Sequence, residues 1–201
     1  KTAQNAYDGG GFDFDGGTTN SVLQYCLSYD NAGSGIGIFQ YPGASVWKNN
    51  TVRFNISIND GLQLRFHGGI LVWNGSKNAD EFTNCLVYNN TIVNNKVAPV
   101  AYSDDSNNKG FLFLNNIFLG AKDLITGADT SAAYISNNWW NDDGGFIANG
   151  INGFDNWAKK YNKEQWNGEI SGLNIDPQFD TTLMTTLTDA HQLKNYLNYK
   201  L

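Results

Sequence analysis

Tyr25-Cys26-Leu27-Ser28-Tyr29 is matched 29 positions later by Phe54-Asn55-Ile56-Ser57-Ile58. In both segments apolar and polar residues alternate after an aromatic first residue, which is the pattern of a short β-strand. Because the same pattern returns after a fixed interval, it indicates an internal structural repeat rather than an accident of composition.

Similar short strands recur along the chain, and each ends in Asn, Asp or Gly. Three asparagine pairs extend this first series: Asn89-Asn90, Asn115-Asn116 and Asn137-Asn138. A second series begins at residues 11–15 and continues at residues 35–39 and 69–73. A period of 22 to 34 residues with two or three short strands predicts a solenoid of stacked coils, a parallel β-helix. Asparagines stacked about 4.8 Å apart can form a hydrogen-bonded ladder, although ordinary turn chemistry explains the pairs equally well.

Composition bounds the class of protein. The 201 residues fit one domain, and 29 Asn and 22 Gly exclude a helical bundle because helices disfavour both residue types. The net charge of −6 disfavours nucleic acid and anionic lipid, whose binding needs clustered Lys and Arg. No segment approaches the roughly 20 apolar residues of a membrane span. We predict one all-β domain over residues 1–201, monomeric and forming the C-terminal part of a longer solenoid.

Two segments depart from the strand pattern. Apolar residues at 154, 157, 158 and 161 have the spacing of one helix face and predict a helix over Asp155–Tyr161, with Asp155 near its N-cap. A second helix-like run begins at Thr188. The predicted fold is therefore a β-helix with one or two short helices near the C-terminus.

The register of the repeat predicts which side chains face the interior and whether the two cysteines can form a disulfide. The predicted interior residues are Phe12, Phe14, Val22, Tyr25, Leu27, Val52, Phe54, Ile56 and Ile58. Cys26 and Cys85 lie two coils apart, which is roughly 9 to 10 Å and beyond the roughly 7 Å limit for bridged Cα atoms. Both cysteines are therefore expected to be free.

The segment Gly11-Phe12-Asp13-Phe14-Asp15 gives the strongest indication of chemistry, because alternation turns the phenylalanines inward and both aspartates outward. Residues two apart on a strand have Cα atoms about 6.5 to 7 Å apart, so Asp13 and Asp15 can reach the roughly 5 to 9 Å carboxyl separations of glycosidases. Repulsion between them favours one protonated acid beside one ionised carboxylate. Asp8 adds a third carboxylate if the preceding turn folds back. These three aspartates are the candidate catalytic residues, with solvated turn residues or calcium ligands as the alternative.

Residues predicted to bind a substrate surround the aspartates. Stacking places Gly37 beside Asp13, where it leaves room for a ligand, and an aromatic row is expected beside Asp15. Aromatic rings stack on the apolar faces of sugar rings, and amides bind hydroxyl groups. Arg65 and His67 add a cation and a titratable ring near the same groove. The predicted substrate-binding residues are Gln40, Arg65, His67, Trp73 and Tyr102, and Phe39 is expected on the aromatic row.

The segments Asp8–Val22, Tyr29–Asn31, Asn50–Gly61 and Asp176–Phe179 resemble the right-handed parallel β-helix proteins of bacterial polysaccharide degradation. That superfamily contains secreted glycoside hydrolases and polysaccharide lyases. The resemblance implies a right-handed, single-stranded solenoid, a secreted or cell-surface location and a polysaccharide or oligosaccharide partner, with no required cofactor. The seven-residue spacing of Asp8 and Asp15 resembles the acid/base and nucleophile spacing of the lacto-N-biosidase type of β-helix glycosidase.

Three functions follow from these observations. The leading hypothesis is a glycoside hydrolase that uses an aspartate carboxylate pair. The second is a pectate-like lyase with calcium, which would need a Lys or Arg base. The outward row offers no Lys, however. In addition, Asp30-Asn31-Ala32 stands where the calcium-dependent pectate lyases of the superfamily carry adjacent acidic residues. The third is a noncatalytic glycan-binding or structural β-helix. The paired Asp-Asp and the Gly-His-Gly of polygalacturonases do not occur in the expected places.

Overall fold

The computed structural model describes residues 9–62, 67–103, 106–127, 131–143, 145–179, 189 and 191–194. Most of this chain forms short strands joined by tight turns. The strands stack coil upon coil into three parallel sheets of five strands each. The chain is therefore a parallel β-helix, as the repeat predicts.

Each coil contributes one strand to each sheet. The first sheet contains β1 (Phe12–Phe14), β4 (Ile36–Gln40), β7 (Ile70–Asn74), β10 (Val100–Ser103) and β13 (Ile125–Thr126). The second sheet contains β2 (Val22–Gln24), β5 (Trp47–Arg53), β8 (Phe82–Tyr88), β11 (Lys109–Leu114) and β14 (Ala133–Ile135). The third sheet contains β3 (Leu27–Tyr29), β6 (Ile56–Ile58), β9 (Thr91–Asn94), β12 (Ile117–Gly120) and β15 (Asn138–Asn141). A 3-10 turn at Ala79–Glu81 precedes β8.

Two hairpins and one helix follow the last complete coil. The hairpins are β16 (Ile147–Ala148) with β17 (Ile151–Asn152), and β18 (Gln165–Trp166) with β19 (Glu169–Ile170). Helix α1 (Phe154–Tyr161) confirms the predicted helix, although it begins one residue earlier, after Gly153. Trp157 and Ala158 on its buried face pack into the core. Of the second predicted helix, the described part of the chain contains only a 3-10 turn at residues 191–194.

The space enclosed by the three sheets is filled by stacked apolar side chains. The largest fully buried ones are Trp47, Phe82, Phe111, Phe113, Phe118, Trp139 and Trp157. Aromatic rings contact one another from coil to coil; the rings of Phe118 and Trp139 are stacked, with centroids 4.3 Å apart and an angle of 28° between their planes. Val52 is buried as predicted, and Phe14 packs against this core although it is only partly buried.

Three of the predicted interior residues are exposed. Val22 is 52% exposed because Leu23, rather than Val22, pairs with Val52 and faces inward. Tyr25 and Phe54 are 75% and 37% exposed, because each occupies the turn between the second and third sheets rather than a strand. The prediction was therefore wrong by one residue in β2 and placed two turn residues inside the coil.

The third sheet is covered on both faces. Its inward positions hold Ser28, Ser57 and Ile92, so Leu27 and Ile56 face outward. Ile58 is buried, as expected, but in a second apolar cluster with Val93 and Leu119 on the outer face. Leu27, Ile56 and Phe179 pack against that cluster. The alternation of residues in β3 and β6 was predicted correctly, but the face of these strands that meets the interior was not.

A ladder of buried asparagines joins the coils at the turn between the second and third sheets. Asn55, Asn90 and Asn116 each donate from the backbone N–H and from Nδ2 to the side-chain oxygen of the next ladder residue, at 2.9 to 3.0 Å. The last acceptor is Asn137. The Nδ2 group of each also donates to a backbone carbonyl, such as Leu23 O for Asn55. The ladder therefore satisfies polar groups that would otherwise be buried without partners.

Glu164 ends this ladder. Its carboxylate accepts hydrogen bonds from Asn137 N, Asn137 Nδ2 and Trp139 Nε1 at 3.0, 2.7 and 2.7 Å. The side chain is fully buried, and this burial raises the pKa of Glu164 to about 7, although the hydrogen bonds from Trp139 and Asn137 oppose the shift. A carboxylate thus takes the place that a fifth amide would occupy.

Cys26 and Cys85 are both free, as predicted. In the described residues no helix has the length and apolar character that a membrane crossing requires.

We predict that Val52→Ala lowers the free energy of unfolding by about 1.5 to 3 kcal/mol, because it removes buried methyl groups and leaves a cavity. Val22→Ala, on the neighbouring strand, is the matched control and should change stability by less than about 0.5 kcal/mol. Urea unfolding followed by circular dichroism measures both. Equal losses in the two variants would contradict the assigned register.

Asn90→Ala should destabilise the protein by about 2 to 4 kcal/mol, because it leaves two donors of Asn55 without their acceptor inside the protein. The control is Asn156→Ala on the exposed face of α1, which should change stability by less than about 0.5 kcal/mol. Thermal unfolding compares the two. A loss for Asn90→Ala no larger than that of the control would show that the ladder contributes little.

Glu164 should make stability depend on pH. Since its pKa is higher in the folded protein than in the unfolded chain, the folded state binds the extra proton, and stability falls as pH rises from about 4.5 to about 7. The expected loss over this range is at most about 3 kcal/mol. Denaturant unfolding between pH 4.5 and 8 measures it, and Glu164→Gln should flatten this part of the profile. An unchanged slope in the variant would assign the pH dependence to other groups.

Candidate functional site

The outer face of the first sheet carries two carboxylates and three aromatic rings in adjacent coils. Asp13 pairs with Gly37, and Phe39 pairs with Trp73 in the next coil, as predicted. Asp15 follows the last paired residue of β1 and so lies level with Phe39. We call Asp13, Asp15, Phe39, Tyr41 and Trp73 the first-sheet face.

Gly37 makes room for two of these side chains. A Cβ atom at this position would lie 2.4 Å from the Phe39 ring and 2.7 Å from Asp13 Oδ1. The Phe39 ring therefore folds across the sheet over Gly37, with the carboxylate of Asp13 beside it. Gly75 plays the same part for Trp73, since a Cβ there would lie 2.6 Å from the indole ring.

Tyr41 connects the carboxylates to the rings. Its hydroxyl donates a hydrogen bond of 2.5 Å to Asp15 Oδ1. Its ring meets Trp73 edge to face, with centroids 5.3 Å apart, and Trp73 meets Phe39 in the same manner at 6.3 Å. The three rings are partly buried by these contacts, whereas Asp13 and Asp15 are exposed. The result is an apolar, ring-lined surface bordered by two hydrogen-bond acceptors.

Two of the predicted substrate-binding residues lie elsewhere. Tyr102 pairs with Val72, which faces the core, so Tyr102 is buried and its hydroxyl is hydrogen-bonded to that of Tyr134. The outward position beside Trp73 is occupied by Ser103. The prediction for Tyr102 was wrong by one residue, because the interval between coils changes from 34 residues to 30.

Gln40 is also buried and is used within the protein. Its Nε2 donates to the carbonyls of Ser45 and Glu81, and its Oε1 accepts from Gly17 N and Tyr41 N. These four bonds tie together the turn that carries Tyr41. The structure therefore places the Gln40 amide inside the protein, where it holds this turn, and not on the first-sheet face where the predicted contact with sugar hydroxyls would occur.

The remaining predicted residues do not join the first-sheet face in the described structure. His67 precedes β7, at the end of the strand opposite to Trp73, and its Nδ1 accepts from Ser34 N at 3.2 Å. Asp8 and Arg65 lie outside the described residues. Their predicted roles remain predictions.

Tyr41 is not among the residues that the sequence predicted for the site. It lies one residue beyond β4, in a turn with Pro42 and Gly43, where no strand pattern indicates its orientation. An aromatic residue in an otherwise small and polar turn was the available signal.

A shallow cavity of about 470 Å³ lies at the C-terminal end of the solenoid. Its polar lining comes from Lys122, Asp123, Asn141 and Asp143, and none of its lining residues in the described part of the chain is aromatic. This cavity is a weaker candidate for a sugar than the ring-lined first-sheet face. Within the described ranges, no group of three or more His, Cys, Asp or Glu side chains is arranged to hold a metal ion.

Comparisons of the chain with protein families, with curated proteins and with solved structures found no match.

Proposed function

We propose that this β-helix binds a glycan on the first-sheet face. The observation that carries the proposal is the continuous contact of Phe39, Tyr41 and Trp73 beside the exposed carboxylates of Asp13 and Asp15. Aromatic faces pack against the C–H faces of pyranose rings, and carboxylates accept hydrogen bonds from hydroxyl groups. Tertiary packing and two glycines hold the rings in place, so binding would not require them to be ordered first.

The charge of the face indicates which sugars it would accept. Asp13 and Asp15 are the only ionisable side chains at the outward positions of β1, β4 and β7 or immediately after β1. Two carboxylates repel an anionic ligand, so a neutral oligosaccharide is favoured over a uronate here.

A second candidate function is hydrolysis of the bound glycan. It is favoured by the alternation in β1, which places Asp13 and Asp15 on the same face with Cα atoms about 6.5 to 7 Å apart. Side-chain rotamers then allow carboxyl separations within the range of glycoside hydrolases. A lyase is less well supported, because the outward positions of these three strands carry no Lys or Arg to act as the base.

Trp73→Ala should weaken binding of a neutral oligosaccharide at least about tenfold, the equivalent of roughly 1.4 kcal/mol, because it removes the central ring of the face. The matched control is Trp166→Ala, which removes a 62% exposed indole from the hairpin β18–β19. Screening on a glycan array followed by calorimetry with the best ligand gives both affinities. Equal affinities for the two variants, or no ligand on the array, would contradict the proposal.

Asp15→Asn should abolish hydrolysis of a bound glycan while leaving the fold intact, because the amide oxygen can still accept the hydrogen bond from Tyr41. Asp155→Asn in α1 is the control for loss of an exposed charge. Reducing-end release measures turnover, and thermal unfolding measures stability. Turnover that survives both Asp13→Asn and Asp15→Asn would reject the hydrolase mechanism while leaving glycan binding in place.

A further inference from the structure

The outer face of the second sheet carries a second aromatic cluster, which is separate from the first-sheet face. Gln24, Arg53 and Tyr88 are register neighbours on three adjacent strands. Tyr25 and Phe54 follow the first two strands at the turn, and their rings are stacked with centroids 5.5 Å apart and an angle of 9°. We call these five residues the aromatic–arginine patch.

The backbone at Tyr25 and Phe54 is unusual for aromatic residues. Both lie in the left-handed region, with φ of 57° and 53°. The same turn position in the next three coils holds Asn89, Asn115 and Ser136, also with positive φ, and asparagine tolerates this region far better than bulky residues do. The first two coils therefore accept backbone strain in order to carry exposed rings, and strain of this kind is associated with binding sites.

Arg53 is held in a fixed orientation beside these rings. Its Nε donates to Gln24 Oε1 at 2.8 Å and its Nη1 donates to the Tyr88 hydroxyl at 2.7 Å. Its guanidinium carbon lies 5.9 Å from the ring centroids of both Phe54 and Tyr88. Within the described chain no carboxylate forms an ion pair with Arg53, and no residue accepts a hydrogen bond from its Nη2.

The patch therefore offers a flat apolar surface next to an oriented cation with N–H groups to donate. A guanidinium binds a carboxylate through two parallel hydrogen bonds, and an exposed aromatic ring packs against a sugar ring. We propose that the aromatic–arginine patch binds an acidic oligosaccharide, with a uronate carboxylate on Arg53 and the pyranose ring on Tyr25. The proposal does not depend on the first-sheet face, whose carboxylates disfavour the same ligand.

The test is calorimetric titration of the full chain with a uronic acid tetrasaccharide and with the same tetrasaccharide after reduction of its carboxyl groups to alcohols. Binding of the uronate, weakened at least tenfold by carboxyl reduction and by Arg53→Gln, is the expected result. Equal affinity for the acidic and the reduced tetrasaccharide, or no binding of either, would overturn the proposal. Hexaglutamate serves as an acidic peptide, and binding as tight as that of the uronate would overturn the assignment to a sugar.

Tyr25→Asn keeps the test valid even if Arg53→Gln folds poorly. It installs the residue that the same turn carries at positions 89 and 115, so the melting temperature should stay the same or rise while uronate affinity falls at least tenfold. Trp73→Ala should leave uronate affinity unchanged, which separates this proposal from the one for the first-sheet face. Unchanged affinity in Tyr25→Asn would overturn the proposal. So would a dimer, detected by sedimentation, that Tyr25→Asn dissociates, because a second copy would then be the occupant of the patch.

Discussion

Hydrogen bonds between buried asparagine side chains at one turn hold the coils of this β-helix in alignment. Each coil of a parallel β-helix must stack in register on its neighbour, although the number of residues between paired strands differs from coil to coil. The ladder from Asn55 to Asn137 fixes this register, because the amide oxygens of Asn90, Asn116 and Asn137 each accept two donors from the preceding coil. A shift of one residue would leave those donors buried without acceptors. The loss of several such hydrogen bonds would cost about as much free energy as the whole stability of many domains.

The two proposed binding surfaces follow from this register. Once the coils are aligned, alternate residues of the first sheet face outward, and Asp13, Phe39 and Trp73 come together although they are distant in sequence. The turn beside the ladder carries Tyr25 and Phe54 outward in the same way, since each immediately precedes a residue that lies at the ladder position. The two faces differ in charge: carboxylates border the first, whereas Arg53 lies within the second. This difference in charge is the reason that we propose a neutral sugar as the ligand of the first face and an acidic sugar as the ligand of the second.

Much of this architecture could be predicted from the sequence. The 29-residue match between the first two coils gave the pairing of Leu27 with Ile56, and the Gly-Phe-Asp-Phe-Asp segment gave the pairing of Asp13 with Gly37.

The errors arose where the pattern is ambiguous. Serine faces the interior at the third sheet, where Ser57 donates a hydrogen bond to Asp60 and Ser28 accepts one from Asn31. A prediction from hydrophobicity alone therefore assigned the wrong face to the interior. Tyr102 was misplaced because the coil length changes, and Tyr41 was missed because it lies in a turn. Glu164 could not be identified as the end of the ladder, because a lone acid after a helix has no repeat to align it.

An NMR titration of the Trp indole N–H signals with a neutral oligosaccharide selected by array would show directly whether the aligned first sheet binds a sugar. The chain contains 6 Trp, and Trp73 alone among them belongs to the first-sheet face. We expect the Trp73 signal to shift in proportion to saturation, while the signals of buried Trp47, Trp139 and Trp157 stay in place. An unchanged Trp73 signal at saturation, or a shift confined to Trp166, would contradict this expectation.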